Sequence, residues 1–369
     1  MGSSGGSDAG AFGRREQVMF GSSVMPVRRG FVILLTLPCA SALHAQEETI
    51  LIAPRFTPGE SHYCEWSRNV VSRLTGGGGG GERESAKRFR ETWGVIQKVD
   101  ERAPDGSTKL TLTLDRIAHE FESGALSQAF DSDLTSTGKT EHPMAVVFRP
   151  LIGQSMTLVL NKDGSVKEFR GLSGPLERIA AELAGKPEGA SIQDKIARLR
   201  HSFSDEMGRV VWGESRFSMY PFCEVKVGQE WKRAWSQPYP TGDLSVEIVC
   251  RLVRIEKQDA RRLAVIEYEA VLHQPKPAAP SGEQSKVFAA NLEGRFKGTA
   301  MYDPQIGLYV SDQEIGEIEL DVAPESSGAE SGKAQRYHQR IESRTSILTL
   351  PQRNAQKEKA ERAEQRRGR

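Results

Sequence analysis

The first side chains to weigh for chemistry are Asp131 and Asp133, which flank Ser132. Carboxylates at alternate positions share one face of an extended segment, where they could bind Ca2+ or act as an acid–base pair. A calcium loop concentrates its oxygen ligands within about a dozen residues, and nothing upstream of Asp131 supplies them. A solvated loop or a turn cap is the favoured reading. Glu314, Glu317, Glu319 and Asp321 alternate with Ile315, Ile318, Leu320 and Val322, which reads as the wet face of an antiparallel strand. His62, His119, His142, His201, His273 and His338 are scattered, with no pair at helical or strand ligand spacing. The chain has no H-E-x-x-H, C-x-x-C, G-x-S-x-G, Walker loop or strand-borne G-x-G-x-x-G. No catalytic residue, metal ligand or cofactor is therefore assigned.

Two further features need a chemical reading. Residues 76–81 are six glycines followed by Glu82-Arg-Glu-Ser, without the Lys-Ser/Thr that a phosphate loop requires, so they read as a flexible hairpin loop. Cys39 lies in the leader described below, leaving Cys64, Cys223 and Cys250. Cys223 with Cys250 is the preferred disulfide, with buried free thiols as the alternative.

The strongest candidate for binding is aromatic. Trp212, Phe217, Tyr220, Phe222, Trp231, Trp235 and Tyr239 crowd around the stretch Met219–Trp235. They are dense enough to line an apolar pocket, although aromatic density in a β protein more often makes core. Trp212, Phe217, Tyr220, Phe222, Trp231 and Trp235 are the candidate ligand-binding residues. Within the stretch, Val225 and Val227 suggest a half-buried strand, Gly228 a turn, and Pro221 a stop to whatever precedes it.

These side chains need elements to position them, and most of the patterning is strand-like. Strands are expected over Cys64–Arg73, Trp93–Arg102 and Lys109–Phe121, the last two joined by the turn Ala103-Pro-Asp-Gly106. Leu110, Leu112 and Leu114 alternate strictly, then the apolar phase shifts to Ile117, His119 and Phe121, which predicts a bulge. Met156–Leu160 and Val166–Arg170 form a hairpin about Asn161–Gly164. Leu176, Ile179, Ala180 and Leu183 mark a helix. Ser191 with Asp194 caps a second helix over Ile192–Met207. Strands follow at Leu244–Ile255, Arg262–Leu272, Leu292–Tyr302, Leu308–Asp312, Glu314–Val322 and Arg340–Leu350, in a plan that echoes the first half. The fold expected is mainly β: a curved antiparallel sheet or partial barrel from two related halves, with a few helices packed on one side.

The organisation is an unstructured stretch 1–24, a signal peptide 25–45, a first β-rich half 46–172, a helical segment 173–212, a second β-rich half 213–350 and a charged tail 351–369. Arg28-Arg29, the apolar run Phe31–Leu37 and the small residues before Ala42 and Ala45 make a secretory signal, with cleavage after either alanine and Met25 as a candidate start. The apolar run is shorter than the ~20 residues that cross a bilayer. Thr36-Leu37-Pro38 before Cys39 is a poor lipid-attachment motif, so a released protein is expected. The tail carries seven basic and three acidic residues over 352–369 and reads as solvated and partly disordered. With Lys+Arg 50 against Asp+Glu 49, the chain lacks the basic excess of a nucleic-acid binder.

Several motifs resemble those of an uncharacterised secreted bacterial family. They are Phe56, Gly59 and Tyr63 in F-x-x-G-x-x-x-Y, then Asp131-Ser-Asp133 and Asp163-Gly164-x-Val166. The pattern P-x-x-x-V-x-V-G-x-x-W of Pro221, Val225, Val227, Gly228 and Trp231 fits best. The resemblance spans residues 50–350 and implies a β-rich domain of unknown function behind a signal peptide, with no established catalytic residues to carry over. The duplicated β-rich plan is also similar to lipoprotein-carrier-like folds. The function expected is exported, non-enzymatic binding of a lipid or other amphipathic ligand, with peripheral membrane contact at most. The alternatives are a structural or interaction protein of the envelope, docking its basic tail on an envelope polymer or protein, and a hydrolase built on Asp131 and Asp133.

Overall fold

Period-two alternation runs through most of the chain, and in the computed structural model it is satisfied by one very wide sheet. Residues 48–75, 86–134, 138–184, 196, 199–200, 202–237, 243–258, 261–274, 289–322 and 335–367 are described. Among them, thirteen strands pair in the order β10-β11-β12-β13-β14-β15-β2-β3-β4-β5-β6, with β7 joining β4 and β8 joining β7. In chain order these are β2 (Ser61–Thr75), β3 (Lys87–Arg102), β4 (Thr108–Ser123), β5 (Leu126–Asp131), β6 (Thr140–Glu141), β7 (Ser155–Leu160) and β8 (Val166–Arg170). The later strands are β10 (Glu230–Gln237), β11 (Leu244–Gln258), β12 (Arg261–His273), β13 (Ala289–Asp303), β14 (Leu308–Val322) and β15 (Gln335–Leu348). All neighbours are antiparallel except β5 with β6. A separate two-stranded ribbon pairs β1 (Thr49–Ile52) with β9 (Cys223–Lys226). The sheet is curved and not closed into a barrel.

The six glycines lie outside the described residues, but the strands that flank them pair antiparallel, with Ser72 opposite Lys87. β15 pairs with β2, so the end of the second β-rich half seals against the start of the first. One face of the sheet carries the core and is called inner here. Val95, Leu110, Leu112, Leu114 and Ile117 point there from one side, and Leu252, Ile266, Phe296 and Ala300 from the other, all buried. The expected bulge is present: Gly94 opposes Arg116 while Val95 opposes Leu114, leaving Asp115 as the extra residue. The bulge also forks the sheet. β4 pairs with β7 over Thr108–Thr113 and with β5 over Ala118–Ser123, on either side of Asp115.

Several expectations are corrected. Leu308–Asp312 and Glu314–Val322 are one strand, because Gln313 stays in register with both Thr299 and Arg344. Of the two valines in the central stretch, Val225 is sealed while Val227 lies past β9 and is exposed. Cys223 is exposed in the ribbon and Cys250 is buried in β11, and neither forms a disulfide. Cys64 is likewise free and buried.

Helix α1 (Ala145–Phe148) is one turn, and helix α2 (Ser173–Leu183) buries Leu176, Ile179, Ala180 and Leu183 as its spacing predicts. The helix expected over 192–207 does not run through. Ser191 and Asp194 lie outside the described residues, while Ile196, Phe203 and Met207 are buried. At Ser204 the backbone is extended and the hydroxyl accepts from the Met207 N–H, starting helix α3 (Asp205–Gly208). Asp205 Oδ1 accepts from the N–H groups of Leu172 and Ser173 at 2.7 and 3.0 Å. A continuous helix would forfeit both the Ser204 cap and this cross-connection at the start of α2. A π-helical turn (Arg209–Glu214) and the short α4 (Ser215–Phe217) complete the segment.

The tail is ordered, against expectation: Leu350–Arg367 form helix α5. Its anchor is Arg353, 3 % exposed, which explains how a segment with no apolar face can still dock.

Two glycines permit close approaches that set the polar geometry described next. A Cβ at Gly94 would lie 2.1 Å from the Tyr63 hydroxyl, and one at Gly298 would lie 2.3 Å from the Tyr268 ring. Each tyrosine thus lies across a neighbouring strand. Gly298→Ala is expected to destabilise the fold by about 1–3 kcal/mol, the usual cost of overpacking. Denaturant unfolding checks this, and a change below ~0.5 kcal/mol would mean that the Tyr268 ring has room to move.

Candidate functional site

The sequence-level candidates separate into three places. Phe217 and Tyr220 are buried, Phe222 packs beside Tyr220, and Tyr220 also meets the rings of Tyr302 and Tyr309. The Tyr309 hydroxyl and Trp231 Nε1 both donate to the Met219 carbonyl, at 3.0 and 2.9 Å. Trp231 and Trp235 sit on edge strand β10 opposite Cys250 and Val246, half-buried on the inner face. Trp212, also half-buried, packs against the main core from the π-helical turn. Tyr239 lies outside the described residues.

Asp131 and Asp133 are not a solvated pair. Asp131 ends β5, and its Oδ1 accepts from the Asp133 N–H at 3.0 Å, the turn-capping role expected of it. Arg116 donates to both Asp131 oxygens and pairs with Glu65, and it lies 3.4 Å from Asp133. Arg353 donates to Asp115 at 2.8 Å and to Asp133 at 2.7 and 2.8 Å, with its guanidinium 4.7 Å from the centre of the Tyr63 ring. The Tyr63 hydroxyl donates to Glu65. Burial, with Glu65 beside it, pushes that phenol well above its ordinary value. Two guanidinium groups thus meet four carboxylates on the outer face, at the fork made by the Asp115 bulge. The arrangement fastens α5 and commits the carboxylates that a hydrolase would need.

The inner face carries a polar row that crosses eight strands in register: Tyr268, Gly298, Glu314, Ser343, Arg68, Glu91, His119 and Phe130. Glu314 was expected on the wet face with Ile315 beneath; the structure reverses them, with Ile315 54 % exposed. Strict parity from Ile318 and Leu320 back through Gly316 places Glu314 inward, a signal present in the sequence. Because Gly298 has no side chain, Tyr268 reaches across β13 and donates to Asp312 at 2.8 Å, with Glu314 at 3.3 Å. Burial raises the Asp312 carboxyl to about 6. Burial and then the Asp312 charge raise Glu314 to about 7. Burial, reinforced by these two carboxylates, holds Tyr268 well above its ordinary value.

Farther along the row, Arg68 pairs with Glu91 at 2.6 Å. His119 lies against His142, the rings tilted with centroids 4.3 Å apart, so two histidines distant in sequence are brought together. Burial, then His142 and Arg68, lowers His119 to about 3 and keeps its ring neutral. No group of three or more His, Cys, Asp or Glu side chains among the described residues is placed to hold a metal ion.

Exposure along the inner face is uneven. On β12, β13 and β4 most of its apolar side chains are sealed, Leu272 and Phe121 excepted, whereas Asp312, Glu314, Ser343, Thr345, Ile347 and Trp66, on β14, β15 and β2, are half-buried. This strip combines hydrogen-bonding groups with aromatic and aliphatic surface.

Residues 105–309, more than half of the chain, match a family of unknown function, DUF6263. The chain belongs to DUF6263. The match is narrower than the 50–350 span of the motif resemblance; it takes in Asp131, Asp133 and Tyr268 and stops short of Asp312, Glu314 and Arg353. No curated protein matches this DUF6263 member. Among solved structures it is similar to lipovitellin, at 9 % identity and a TM-score of 0.37, covering 80 % of this chain and 26 % of that one. It is also similar to DynF from the dynemicin biosynthesis pathway of Micromonospora chersina, at 8 % identity and a TM-score of 0.20, covering 84 % and 89 %. A third is OccK2 (OpdF) of Pseudomonas aeruginosa, at 9 % identity and a TM-score of 0.18, covering 80 % and 100 %. This DUF6263 chain thus spans about a quarter of the lipovitellin chain it matches.

Proposed function

We propose that this protein is exported and binds an amphipathic ligand without chemical conversion, holding it against the inner face of the sheet. The observation that carries the reading is the half-buried strip on β14, β15 and β2, where Trp66 and Ile347 sit beside Asp312, Glu314 and Ser343. Concave sites of this kind pair apolar area with a few fixed polar groups. Trp231 and Trp235 are half-buried on the same face at the β10 edge, four strands from β14. The leader at 25–45 supports export, and the repeated strand plan supports an ancestral duplication of the two β-rich halves.

Native mass spectrometry on protein exported by its own leader and purified without detergent tests both parts. The expected product begins at Leu43 or Gln46 and carries mass that extracts into organic solvent. In titrations of delipidated protein, cis-parinaric acid is expected to bind saturably, with affinity about tenfold lower for Trp66→Ala, as for an aromatic contact worth ~1.4 kcal/mol. A bare polypeptide together with no saturable binding overturns the reading.

A second reading has its own support. Arg353 fixes the root of α5, while Lys357, Lys359 and Arg362 on it are exposed. A helix presented this way could dock on an anionic envelope polymer. Retention in the envelope that disappears on deleting residues 354–369, with the fold intact, is the expected result of that alternative.

A further inference from the structure

Two strands hold a second set of polar groups on the inner face, away from the acidic pair. Gln97 on β3 is 1 % exposed, and neither its Oε1 nor its Nε2 has a hydrogen-bond partner. Directly opposite in register on β2 is His62, whose side chain is 16 % exposed. Arg216, from α4, lies over the same strand: its Nη2 donates to Cys64 Sγ at 2.9 Å, while its Nη1 is buried with no partner. Arg216 forms no ion pair with a carboxylate among the described residues. Burial, opposed by Glu60 and aided by Arg216, lowers His62 and leaves its ring neutral.

A buried amide with both ends unsatisfied costs about 1–3 kcal/mol, and so does a buried guanidinium nitrogen with nothing to bond. Such groups call for a partner, and an arriving polar group is one that would supply it. A guanidinium, an amide N–H2 and a neutral imidazole together offer several donors and a positive charge. The carboxylate beside them is Glu60, which is half exposed and stands 4.0 Å from His62 Nε2 without pairing with Arg216. Donors and charge in this combination are the chemistry of a carboxylate seat. The acidic pair at Asp312 and Glu314 stands two strands farther on from β2, apart from these donors.

We propose that Arg216, Gln97 and His62 receive the carboxylate head of the amphipathic ligand, so that the protein selects fatty-acid-like anions over neutral or cationic amphiphiles. The proposal rests on the binding function above and names its ligand class. From His62, the inner residues of β2 run through Cys64 to Trp66, a path of ~13 Å at ~3.3 Å per residue. An acyl chain anchored at one end would therefore lie over the half-buried strip.

Calorimetric titration of the full chain with dodecanoate, dodecan-1-ol and dodecylamine tests this. Dodecanoate is expected to bind at least tenfold more tightly than the alcohol. In Arg216→Met that preference disappears while alcohol binding is unchanged. Gln97→Leu is expected to raise the melting temperature and weaken dodecanoate alone, which separates a seat from a merely structural residue. It also keeps the test open if Arg216→Met misfolds. Equal binding of acid and alcohol, or a preference that survives in Arg216→Met and Gln97→Leu, overturns the carboxylate seat and leaves the binding function standing. If none of the three amphiphiles binds, both fall.

Discussion

Arg353→Met is expected to cost about 3 kcal/mol of stability and to detach the C-terminal helix. Arg353 is 3 % exposed, and its guanidinium bonds Asp115 and both oxygens of Asp133, whose side chain is only 5 % exposed. Breaking a buried pair by removing one partner costs about 3–5 kcal/mol, because the remaining charge stays desolvated. Arg116, 3.4 Å from Asp133, offsets part of that and sets the lower end of the range. Methionine keeps much of the apolar stem and removes the guanidinium, so the loss reports the charge and its stacking on the Tyr63 ring rather than the volume. Arg353→Lys keeps the charge and loses the fork geometry, so it should recover only part of the stability. Denaturant unfolding gives the size, and protease cutting within 354–367 reports the detached helix. A loss below ~1 kcal/mol would mean that α5 is held by something other than this network.

The second large effect is a stability that falls as pH rises. Asp312 and Glu314 are raised to about 6 and about 7, above their ordinary values of 3.8 and 4.5. The folded state therefore binds protons that the unfolded chain has released. The penalty is small near pH 4 and vanishes below the ordinary values, where both states are protonated. It grows between about pH 4 and 7 and is complete above that window. Shifts of this size correspond to about 3–3.5 kcal/mol per group at ~1.4 kcal/mol per unit, reduced by what solvent reaches the half-buried pair. The double variant Asp312→Asn, Glu314→Gln retains acceptors for the Tyr268 hydroxyl and abolishes the titration. It should be more stable than the native protein at about pH 8 and about equal to it at about pH 4. Parallel stability–pH curves for the two proteins would show that the pair ionises without cost in the fold.

Local pattern carried much of this architecture. Leu110, Leu112 and Leu114, followed by the shift to Ile117, predict both the strand and its bulge, because side chains alternate with a period of two. The hairpin about Asn161–Gly164 and the helix bearing Leu176 to Leu183 were legible for the same reason: turn chemistry and helical spacing act over a few residues. The inward position of Glu314 was also present in that parity, and was lost only by grouping it with Glu317 and Glu319.

Other features have no local signature. The ribbon joins Ile52 to Cys223, and the sheet is completed by Ile347 beside Cys64. Nothing in a strand's own sequence names so distant a partner. The order of α5 hangs on a single arginine whose carboxylates lie more than two hundred residues away. Composition alone describes that segment as solvated, as most of it is, and as partly disordered, which this anchor corrects. By itself the sequence determined the class of fold, the turns, the bulge and the membership of a β-rich family. Only the tertiary structure decided which polar groups meet, because Asp133 with Arg353, Tyr268 with Asp312, and Cys64 with Arg216 are joined by register and packing rather than by neighbourhood in the chain.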